Sequence, residues 1–282
     1  MLPINRRHWS YSQINQFLRI CPLQYAFQRI YGLAPAFISE ALPFGSAIHR
    51  TAEHLWARRM EGQDVGEEEL AALFADLWKR EVADTEKLVY QKSDFETLLQ
   101  QGQELMRVYR RNFPDEIEIA GFNVPFQVPL VDRNGEMLER PLVGEIDLLI
   151  RHGDRLCAVD LKTAGQRYAE SKLTSDLQPT VYLYALRMLG HDAFFRWDVL
   201  LKTKTAALVQ YPAERTEEDF YRLVELVKVA ESMIAAEHFL PNDGSFFCAG
   251  CGYQAVCRDW HLDSTEPAHP QAAQHVPQAV GA

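Results

Sequence analysis

Three cysteines near the C-terminus have the spacing of metal ligands. Cys248, Cys251 and Cys257 form a C-x2-C-x5-C pattern, and tetrahedral metal or cluster sites take four ligands. The fourth ligand must come from elsewhere in the chain. Cys21, followed by Pro22 where the first predicted helix ends, is the candidate. If the four thiolates meet, a metal centre ties the beginning of the fold to its end.

Two aspartates and a lysine fall where a strand hairpin would bring them together. A turn at 153–154 separates two apolar-rich segments, and an antiparallel hairpin centred on it places Asp147 directly opposite Asp160. Lys162 lies two residues beyond Asp160, so the alternation of a strand puts it on the same face. The opposite face of the hairpin, which includes Cys157, is expected to be core.

This patch has the chemistry needed to hydrolyse a phosphodiester. Two carboxylates can hold one or two hard divalent cations, Mg²⁺ or Mn²⁺. A cation activates water, and a lysine can orient that water and stabilise developing negative charge. The alternative is that Asp160 and Lys162 are merely polar positions at a strand end, but burying charges there is costly unless they are paired or bind metal. Glu145 would face Lys162 in the same register, as its partner or as a further acidic ligand.

The elements that must position these residues can be recognised from the spacing of apolar side chains. Helical spacing follows Ser10 and recurs at about 44–113, 176–189 and 216–238. Strand patterns occupy 117–128, 142–150, 156–161, 194–201 and 207–211, with an Asn134-Gly135 hairpin turn. We therefore expect an α/β fold with a mixed central sheet, flanking helices, an N-terminal helical lobe and a C-terminal cysteine loop.

The composition is that of an ordinary globular protein, with 47% hydrophobic and 24% charged residues. We expect a single domain over 1–262, with the lobe at about 44–113 and the catalytic core at about 116–215. The segment 263–282 is rich in Pro, Ala, Gln and His without periodicity, which predicts a disordered tail. A membrane helix of about 20 apolar residues and a signal peptide are both missing, so we expect a cytoplasmic protein without membrane contact.

Charge and cysteine usage narrow the class further. Five cysteines without a secretion signal favour metal or cluster ligation over a disulfide framework. The formal net charge of −10 counts against a protein that simply coats nucleic acid, but not against an enzyme with a local basic groove. Candidates for that groove, each explained equally well as solvated surface, are Arg167, Lys172, Lys202 and Lys204.

Several motifs together resemble those of the PD-(D/E)XK nuclease superfamily in its RecB-like branch. They are Gly144-Glu145-Ile146-Asp147, Val159-Asp160-Leu161-Lys162-Thr163, the G-x-x-x-H of Gly45 to His49 and the Q-x-x-x-Y of Gln178 to Tyr182. The cysteine pattern is similar to that of the iron-staple subgroup, which includes CRISPR-adaptation nucleases and AddB-type recombination nucleases. The resemblance covers roughly residues 9–260. The family's usual proline before the first acidic residue is Ile146 here.

The resemblance implies a restriction-endonuclease-like fold and a role for each matching position. The catalytic residues it implies are Asp147, Asp160, Lys162, Gln178 and Tyr182. The metal ligands it implies are His49, Asp147, Asp160 and the backbone carbonyl of Leu161. The ligands it implies for a [4Fe–4S] cluster are Cys21, Cys248, Cys251 and Cys257. Zinc is the rival occupant, because four thiolates suit either.

The expected function is metal-dependent cleavage of DNA by an exonuclease that acts on single strands or duplex ends. A helical lobe over the site could form a channel that threads a strand. The expected setting is DNA repair, recombination, or phage- or CRISPR-type processing, with a helicase, recombination or adaptation protein as partner. The alternatives are an endonuclease that trims DNA for integration and a catalytically silent DNA-binding subunit. The intact set of Asp147, Asp160 and Lys162 argues against the last.

Overall fold

The computed structural model describes residues 8–261, so the predicted tail at 263–282 lies outside the described residues. The described residues form two compact units. One combines residues 8–11 with Ile38–Lys228, and the other combines Ser12–Phe37 with the residues from Val229 onward. The single domain over 1–262 stays a prediction. No helix in the described range is both long enough and apolar enough to cross a bilayer.

The helices follow the predicted spacing. In the described chain the α-helices are α1 (Tyr11–Asn15), α2 (Pro22–Tyr25), α3 (Ala41–Met60), α4 (Glu67–Asp84), α5 (Phe95–Asn112), α6 (Glu170–Ser175), α7 (Leu177–Met188), α8 (Glu217–Ala235) and α9 (Gln254–Asp259). Wider turns of the π type continue α1 over Gln16–Ile20 and α2 over Ala26–Ile30, and a 3-10 turn covers Phe246–Gly250. The helical region predicted at 44–113 is confirmed as α3, α4 and α5.

The strands form a five-stranded mixed sheet and a separate parallel pair. The pair is β1 (Ile38–Ser39) with β2 (Leu88–Val89), and the sheet contains β3 (Glu118–Val128), β4 (Leu142–His152), β5 (Arg155–Ala164), β6 (Ala193–Leu201) and β7 (Ala207–Ala213) in that spatial order. β5 and β6 are parallel, and the other neighbours in the sheet are antiparallel. The connection from β5 to β6 carries α6 and α7, as a parallel pair requires a crossover. The predicted α/β fold with a mixed sheet is confirmed.

The predicted hairpin is formed by β4 and β5. Leu148 pairs with Val159 in the register that the turn dictates. Gly153 in the turn has a φ of 63°, a conformation that favours glycine. Cys157 and Leu161 are fully buried, which confirms the predicted core face. Burial raises the pKa of the Cys157 thiol to about 12, so this cysteine is a packed, unreactive side chain.

The three long helices α3, α4 and α5 share a core with that face of the hairpin. The large buried aromatic residues of this core are Phe44, Trp56, Phe74, Trp78 and Tyr109. The indole N–H of Trp56 donates to the Tyr109 hydroxyl at 2.9 Å, so these buried polar groups satisfy each other. Gly102 on α5 is needed here, because a Cβ at this position would lie 2.0 Å from the Phe74 ring. The helical lobe therefore supports the strands that carry the candidate catalytic residues.

The Asn134-Gly135 turn forms between β3 and β4, with Gly135 at a φ of 82°. It is flanked by a single antiparallel bridge between Val131 and Met137, and the backbone N–H groups of Asp132 and Leu138 donate across it to Glu136 and Leu130. The predicted turn therefore closes a very short hairpin, and an Asp132 oxygen reinforces it by accepting the N–H groups of Asn134 and Glu136.

The second unit joins the segment after α1 to the C-terminal segment. Cys21 is the residue before α2, and its sulfur accepts the backbone N–H of Gln24 at 3.4 Å, with Pro22 at the first helical position. The rings of Phe27 and Tyr253 are both buried and lie 5.9 Å apart. The Tyr253 hydroxyl donates to the Leu33 carbonyl at 3.0 Å. Aromatic packing therefore holds the cysteine-rich loop against α2 and the residues that follow it.

Candidate active site

Asp147 lies where the regular pairing of β4 and β5 stops. The last paired residues are Leu148 and Val159, so the expected pairing of Asp147 with Asp160 is not part of the ladder. Instead, Oδ2 of Asp147 accepts a hydrogen bond from the backbone N–H of Leu161 at 3.1 Å. A side chain has thus taken the place of a backbone partner, and it fixes the Asp147 carboxylate beside the strand that carries Asp160.

His49, on α3, faces the same carboxylate. Its Nδ1 lies 3.3 Å from Oδ2 of Asp147. Burial, followed by the positive charge of Lys162, lowers the pKa of His49, although a hydrogen bond to the backbone of Leu161 opposes the shift. A lowered pKa keeps the imidazole neutral near pH 7, which is the form that binds metal ions. The structure therefore brings His49, Asp147 and Leu161 together, as the motifs predict.

Asp160 is the most deeply buried charged group of the site, with 1% of it exposed. The Lys162 ammonium lies 2.7 Å from Oδ1 and 2.6 Å from Oδ2, and the Gln178 amide donates to Oδ1 at 2.6 Å. The buried carboxylate is thus compensated by the Lys162 ammonium, which lies against both oxygens, and by the Gln178 amide at Oδ1.

Burial disfavours the charged forms of both aspartates. It raises the pKa of Asp147, and it raises the pKa of Asp160 to about 6, although Lys162 opposes both shifts. Burial alone would lower the pKa of Lys162, but the adjacent charges of Asp160 and Asp147 outweigh it and raise that pKa. Two carboxylates thus share one ammonium, and this charge imbalance favours a bound cation.

Gln178 and Tyr182 project from the same face of α7. The Gln178 amide lies 3.4 Å from the Tyr182 hydroxyl, and it reaches Asp160 as well. Phe126 packs edge-on against Tyr182, with ring centroids 6.0 Å apart. A Cβ at Gly144, which pairs with Phe126, would lie 2.5 Å from that ring. The glycine of the first motif therefore leaves room for the aromatic ring that supports Tyr182.

Asp176 and Tyr11 belong to the neighbourhood of the site and were not predicted from the sequence. Asp176 caps α7 by accepting the N–H of Gln178 at 2.9 Å, and it also pairs with Lys172 and accepts the Tyr11 hydroxyl at 3.1 Å. Aspartate two residues before Gln178 is a capping signal that could have been recognised. Tyr11 gives no such signal, because its partner is distant along the chain.

The basic residues proposed for a groove differ in their surroundings. Lys172 is paired with Asp176, and the Lys202 ammonium lies 5.0 Å above the Phe44 ring. Burial lowers the pKa of Lys202. Of these four residues, Arg167 and Lys204 are ordinary exposed surface cations.

The expected pairing of Glu145 with Lys162 is not formed. The β4–β5 ladder ends at Leu148, Glu145 is exposed and pairs with Pro125 on β3, and the Lys162 ammonium contacts Asp160. The early end of the ladder is the physical reason, since it releases the two strands from the register that their turn imposes.

The four predicted cluster cysteines line one small cavity within the second unit. The cavity has a volume of about 50 Å³ and is bordered by Cys21, Cys248, Cys251 and Cys257. Burial, and then the charges of Asp243 and the other three cysteines, raise the pKa of Cys257. Cys157 belongs to the other unit. The structure therefore gathers the four cysteines that the sequence pattern selected.

Gly252, between two of these positions, is required by the close approach of two backbones. Its carbonyl accepts the N–H of Ala36 at 2.9 Å, and a Cβ at this position would lie 2.8 Å from Pro35 and 3.0 Å from the Phe37 carbonyl oxygen. The C-x2-C spacing thus includes a residue that lets the loop reach the N-terminal segment.

Within residues 8–261, no three or more His, Cys, Asp or Glu side chains are grouped closely enough to hold one metal ion jointly. At the active site, the Lys162 ammonium rather than His49 lies against Asp160. Four thiolates that hold a [4Fe–4S] cluster each bind a different iron and need not converge on one point. The ligand roles of both sets therefore stay predictions.

With this geometry established, comparison with known protein families identifies the class. The PD-(D/E)XK nuclease superfamily matches residues 8–258, and the chain belongs to that superfamily. The mixed five-stranded sheet flanked by helices is its restriction-endonuclease-like fold. The predicted family and fold are therefore confirmed, and the chain is a nuclease by family.

A solved structure agrees with the fold. A presumed exonuclease from Eubacterium rectale matches with a TM-score of 0.57 and 15% sequence identity, over 87% of this chain and 88% of that one. The structure of SSO0001 matches with a TM-score of 0.34 and 12% identity, over 87% and 94% of the two chains. At these identities only the first comparison supports the architecture, and neither defines a substrate. A comparison with curated proteins found no match.

Proposed function

We propose that the chain is a cytoplasmic, Mg²⁺- or Mn²⁺-dependent deoxyribonuclease that hydrolyses phosphodiester bonds in single strands or at duplex ends. One observation supports it most strongly: the hairpin places Lys162 against the buried carboxylate of Asp160, while Asp147 is held by the Leu161 amide and faces His49. Isolated buried charges are costly, so their assembly at one place requires a compensating role. Phosphodiester hydrolysis uses each of these groups.

The types of donor present suit a divalent cation, since carboxylate and carbonyl oxygens are the ligands of hard cations. Asp147, Asp160, His49 and the Leu161 carbonyl would hold it, and Oδ2 of Asp160 already lies 2.6 Å from the positive charge of Lys162. When bound, the cation lowers the pKa of a water molecule and neutralises phosphoryl charge. The chain's own contribution is orientation and charge. Lys162 supplies a positive charge that can hold the attacking water and stabilise the developing oxyanion.

Gln178 and Tyr182 orient the charged groups of the site. The Gln178 amide holds Oδ1 of Asp160, which restricts the carboxylate to one orientation. Tyr182 is fixed by Phe126 and by Gln178, with its hydroxyl directed to the site. Asp176 caps α7 two residues before Gln178, and the Gln178 amide in turn links the start of this helix to the catalytic strand through Asp160. Precise orientation of this kind is a major source of catalytic rate.

We propose a [4Fe–4S] cluster as the occupant of the cysteine cavity, with Zn²⁺ as the alternative. The supporting observation is that cysteines from opposite ends of the sequence border one cavity with sulfur-directed N–H groups around it. Such a centre would be structural, because it would join two segments that lie far apart in the sequence. It would act as a staple between the segment of Cys21 and the C-terminal loop.

The direct test uses linear and circular DNA. Purified protein is incubated with end-labelled linear single strands, linear duplex and closed circular single strands, with Mg²⁺, Mn²⁺ or EDTA. Metal-dependent loss of linear DNA with intact circles supports the end-directed exonuclease. Cleavage of circles identifies the endonuclease that trims DNA for integration. Binding without cleavage under both metals, by protein that carries its cysteine-bound metal, identifies the silent binding subunit and overturns the proposal.

The biological setting follows from the same substrates. An end-directed exonuclease needs single strands or free DNA ends, and the sequence contains no G-x4-G-K-[ST] motif, the signature of an ATP-driven motor that could unwind a duplex. A helicase, recombination or adaptation protein would supply such DNA, and we propose a partner of this kind in DNA repair, recombination or phage- or CRISPR-type processing. Stimulation of duplex cleavage by a separately added helicase would support the proposed partner.

A further inference from the structure

A chain of side-chain hydrogen bonds leads from Arg29, through two glutamines, to the sulfur of Cys251 in the cysteine cavity. The guanidinium Nε of Arg29 donates to Oε1 of Gln16 at 2.8 Å. The Gln16 amide donates to Oε1 of Gln24 at 3.2 Å, and the Gln24 amide donates to the sulfur of Cys251 at 3.4 Å. All four residues belong to the second unit. We name this path the glutamine relay.

The direction of the relay is fixed by chemistry. An arginine side chain can only donate, so the amide oxygen of Gln16 must face Arg29 and its N–H groups must face away. The same logic then orients Gln24, whose oxygen is occupied by Gln16 and whose N–H groups are therefore directed at Cys251. The sulfur at the end of the path is forced to be an acceptor. A metal-bound thiolate accepts strongly, whereas a neutral thiol is a weak acceptor.

Gln24 also contacts the sulfur from the other end of the sequence. Its backbone N–H donates to Cys21 at 3.4 Å, and the N–H of Asn242 donates to the same sulfur at 3.4 Å. One residue thus provides donors to Cys21 and Cys251, which belong to the two segments that the proposed staple joins. N–H donors directed at thiolate sulfurs offset the negative charge of an anionic metal centre.

We propose that Gln24 is a positioning residue for the four-cysteine metal centre and that Arg29 and Gln16 hold its amide in the donating orientation. The inference rests on the proposed metal centre. The donated hydrogen bond stabilises the metal–thiolate bond of Cys251 and, in an iron–sulfur cluster, stabilises the more negative reduced state. Its loss therefore has two measurable effects: faster release of metal and a more negative reduction potential.

The test compares Gln24→Leu with Gln28→Leu. Gln28 is the matched control, because its oxygen accepts from the same Gln16 amide at 2.6 Å but it is exposed and is not on the path to Cys251. Protein is purified without oxygen, and iron release to an excess of an Fe²⁺ chelator is followed by absorbance. We expect release from Gln24→Leu to be about tenfold faster than from the wild type. Gln28→Leu should match the wild type, and a dithionite titration should show a more negative midpoint for Gln24→Leu alone.

A second pair of variants tests whether Arg29 acts through Gln24. Arg29→Leu should accelerate metal release, and the double variant of Arg29→Leu with Gln24→Leu should release metal no faster than Gln24→Leu. Additive effects would contradict the relay. Gln24→Glu, which keeps the length but places an anionic group beside Cys251, should hold metal less well than Gln24→Leu.

The outcomes separate the relay from the proposed cluster. Wild-type protein with zinc and no iron overturns the cluster, and the relay is then decided by the rate of zinc transfer to a colorimetric chelator in the same variants. Equal release from Gln24→Leu, Gln28→Leu and the wild type overturns the relay whichever metal is bound. Wild-type protein that retains neither metal overturns both. None of these readouts depends on nuclease activity.

Discussion

The Asp147 carboxylate completes the hydrogen bonding of Leu161 on the opposite strand. Oδ2 of Asp147 accepts the Leu161 N–H at 3.1 Å, just beyond Leu148 and Val159, the last regular pair of the β4–β5 ladder. Leu161 is fully buried, so its amide would otherwise lack a partner. A residue proposed to bind metal is therefore also part of the fold, and the two roles can be separated by choice of substitution.

Asp147→Asn and Asp147→Ala should differ in stability but not in activity. The asparagine oxygen can still accept the Leu161 N–H, and the buried negative charge is removed, so Asp147→Asn should be at least as stable as the wild type. Asp147→Ala leaves a buried N–H unpaired, which costs about 1–3 kcal/mol. Urea denaturation measures the difference, and both variants should be inactive and bind less Mn²⁺ by calorimetry. A variant Asp147→Asn as unstable as Asp147→Ala would show that the hydrogen bond contributes nothing.

Lys162→Ala should abolish cleavage while most DNA binding remains. The ammonium is expected to act on the transition state, so its loss should appear in the rate rather than in the affinity. Single-turnover cleavage and fluorescence anisotropy of labelled DNA measure the two separately. Lys79→Ala on α4, which removes an exposed lysine with only a 3.9 Å contact to Asp76, is the matched control and should behave as the wild type. Turnover by Lys162→Ala within a few-fold of the control would contradict the mechanism.

The hairpin shows how far the sequence could lead. The turn at 153–154 and strand alternation were sufficient to predict the register of Leu148 with Val159 and the buried face of Cys157. They could not predict that the ladder stops before Asp147, because that depends on a side chain that competes with the backbone for a hydrogen bond. Residue propensities and strand alternation do not predict when a side chain will replace a backbone group as hydrogen-bond partner.

The same limit applies around α7 and the cysteine cavity. The motif spacing brought Gln178 to the site, but the contact of Tyr11 with Asp176 depends on tertiary packing between distant segments. For the cysteines, the spacing selected the four residues that border the cavity. The need for glycine at position 252 could not be predicted, because it depends on a tertiary contact: the Phe37 carbonyl oxygen lies 3.0 Å from where a Cβ would be.

Gly45→Ala should raise stability and lower nuclease activity. Nothing lies within 4 Å of the position that a Cβ would occupy, and the residue lies in the helix α3 without a left-handed φ, so the fold does not require glycine there. Alanine in a helix interior is favoured over glycine by about 1 kcal/mol. His49 is one turn further along the same face, so we expect the open space to be where the DNA strand passes.

Gly144→Ala provides the contrast. A methyl group there would collide with the Phe126 ring at 2.5 Å, so the variant should be destabilised, by about 1–3 kcal/mol for overpacking of this kind. Thermal unfolding and the initial rate of cleavage, measured for both glycine variants, decide the matter. An active Gly45→Ala variant would show that the DNA does not approach α3 closely, and an unstable one would show that the glycine has a structural reason.

Cys21→Ser should behave like Cys257→Ser, although the two residues are far apart in the sequence. If both hold one cluster, each substitution removes a thiolate and leaves a labile three-thiolate site. A cross-link of this span contributes on the order of 4–5 kcal/mol by the chain-entropy estimate, which is a large part of a typical domain stability of roughly 5–15 kcal/mol. We expect loss of brown colour and iron, a lower melting temperature and protease cleavage in the Cys21 segment and the C-terminal loop. Cys157→Ala should keep its iron, because Cys157 lies in the core of the other unit. Iron and sulfide analysis of the three variants is the measurement, and full iron content in Cys21→Ser would remove this residue from the cluster.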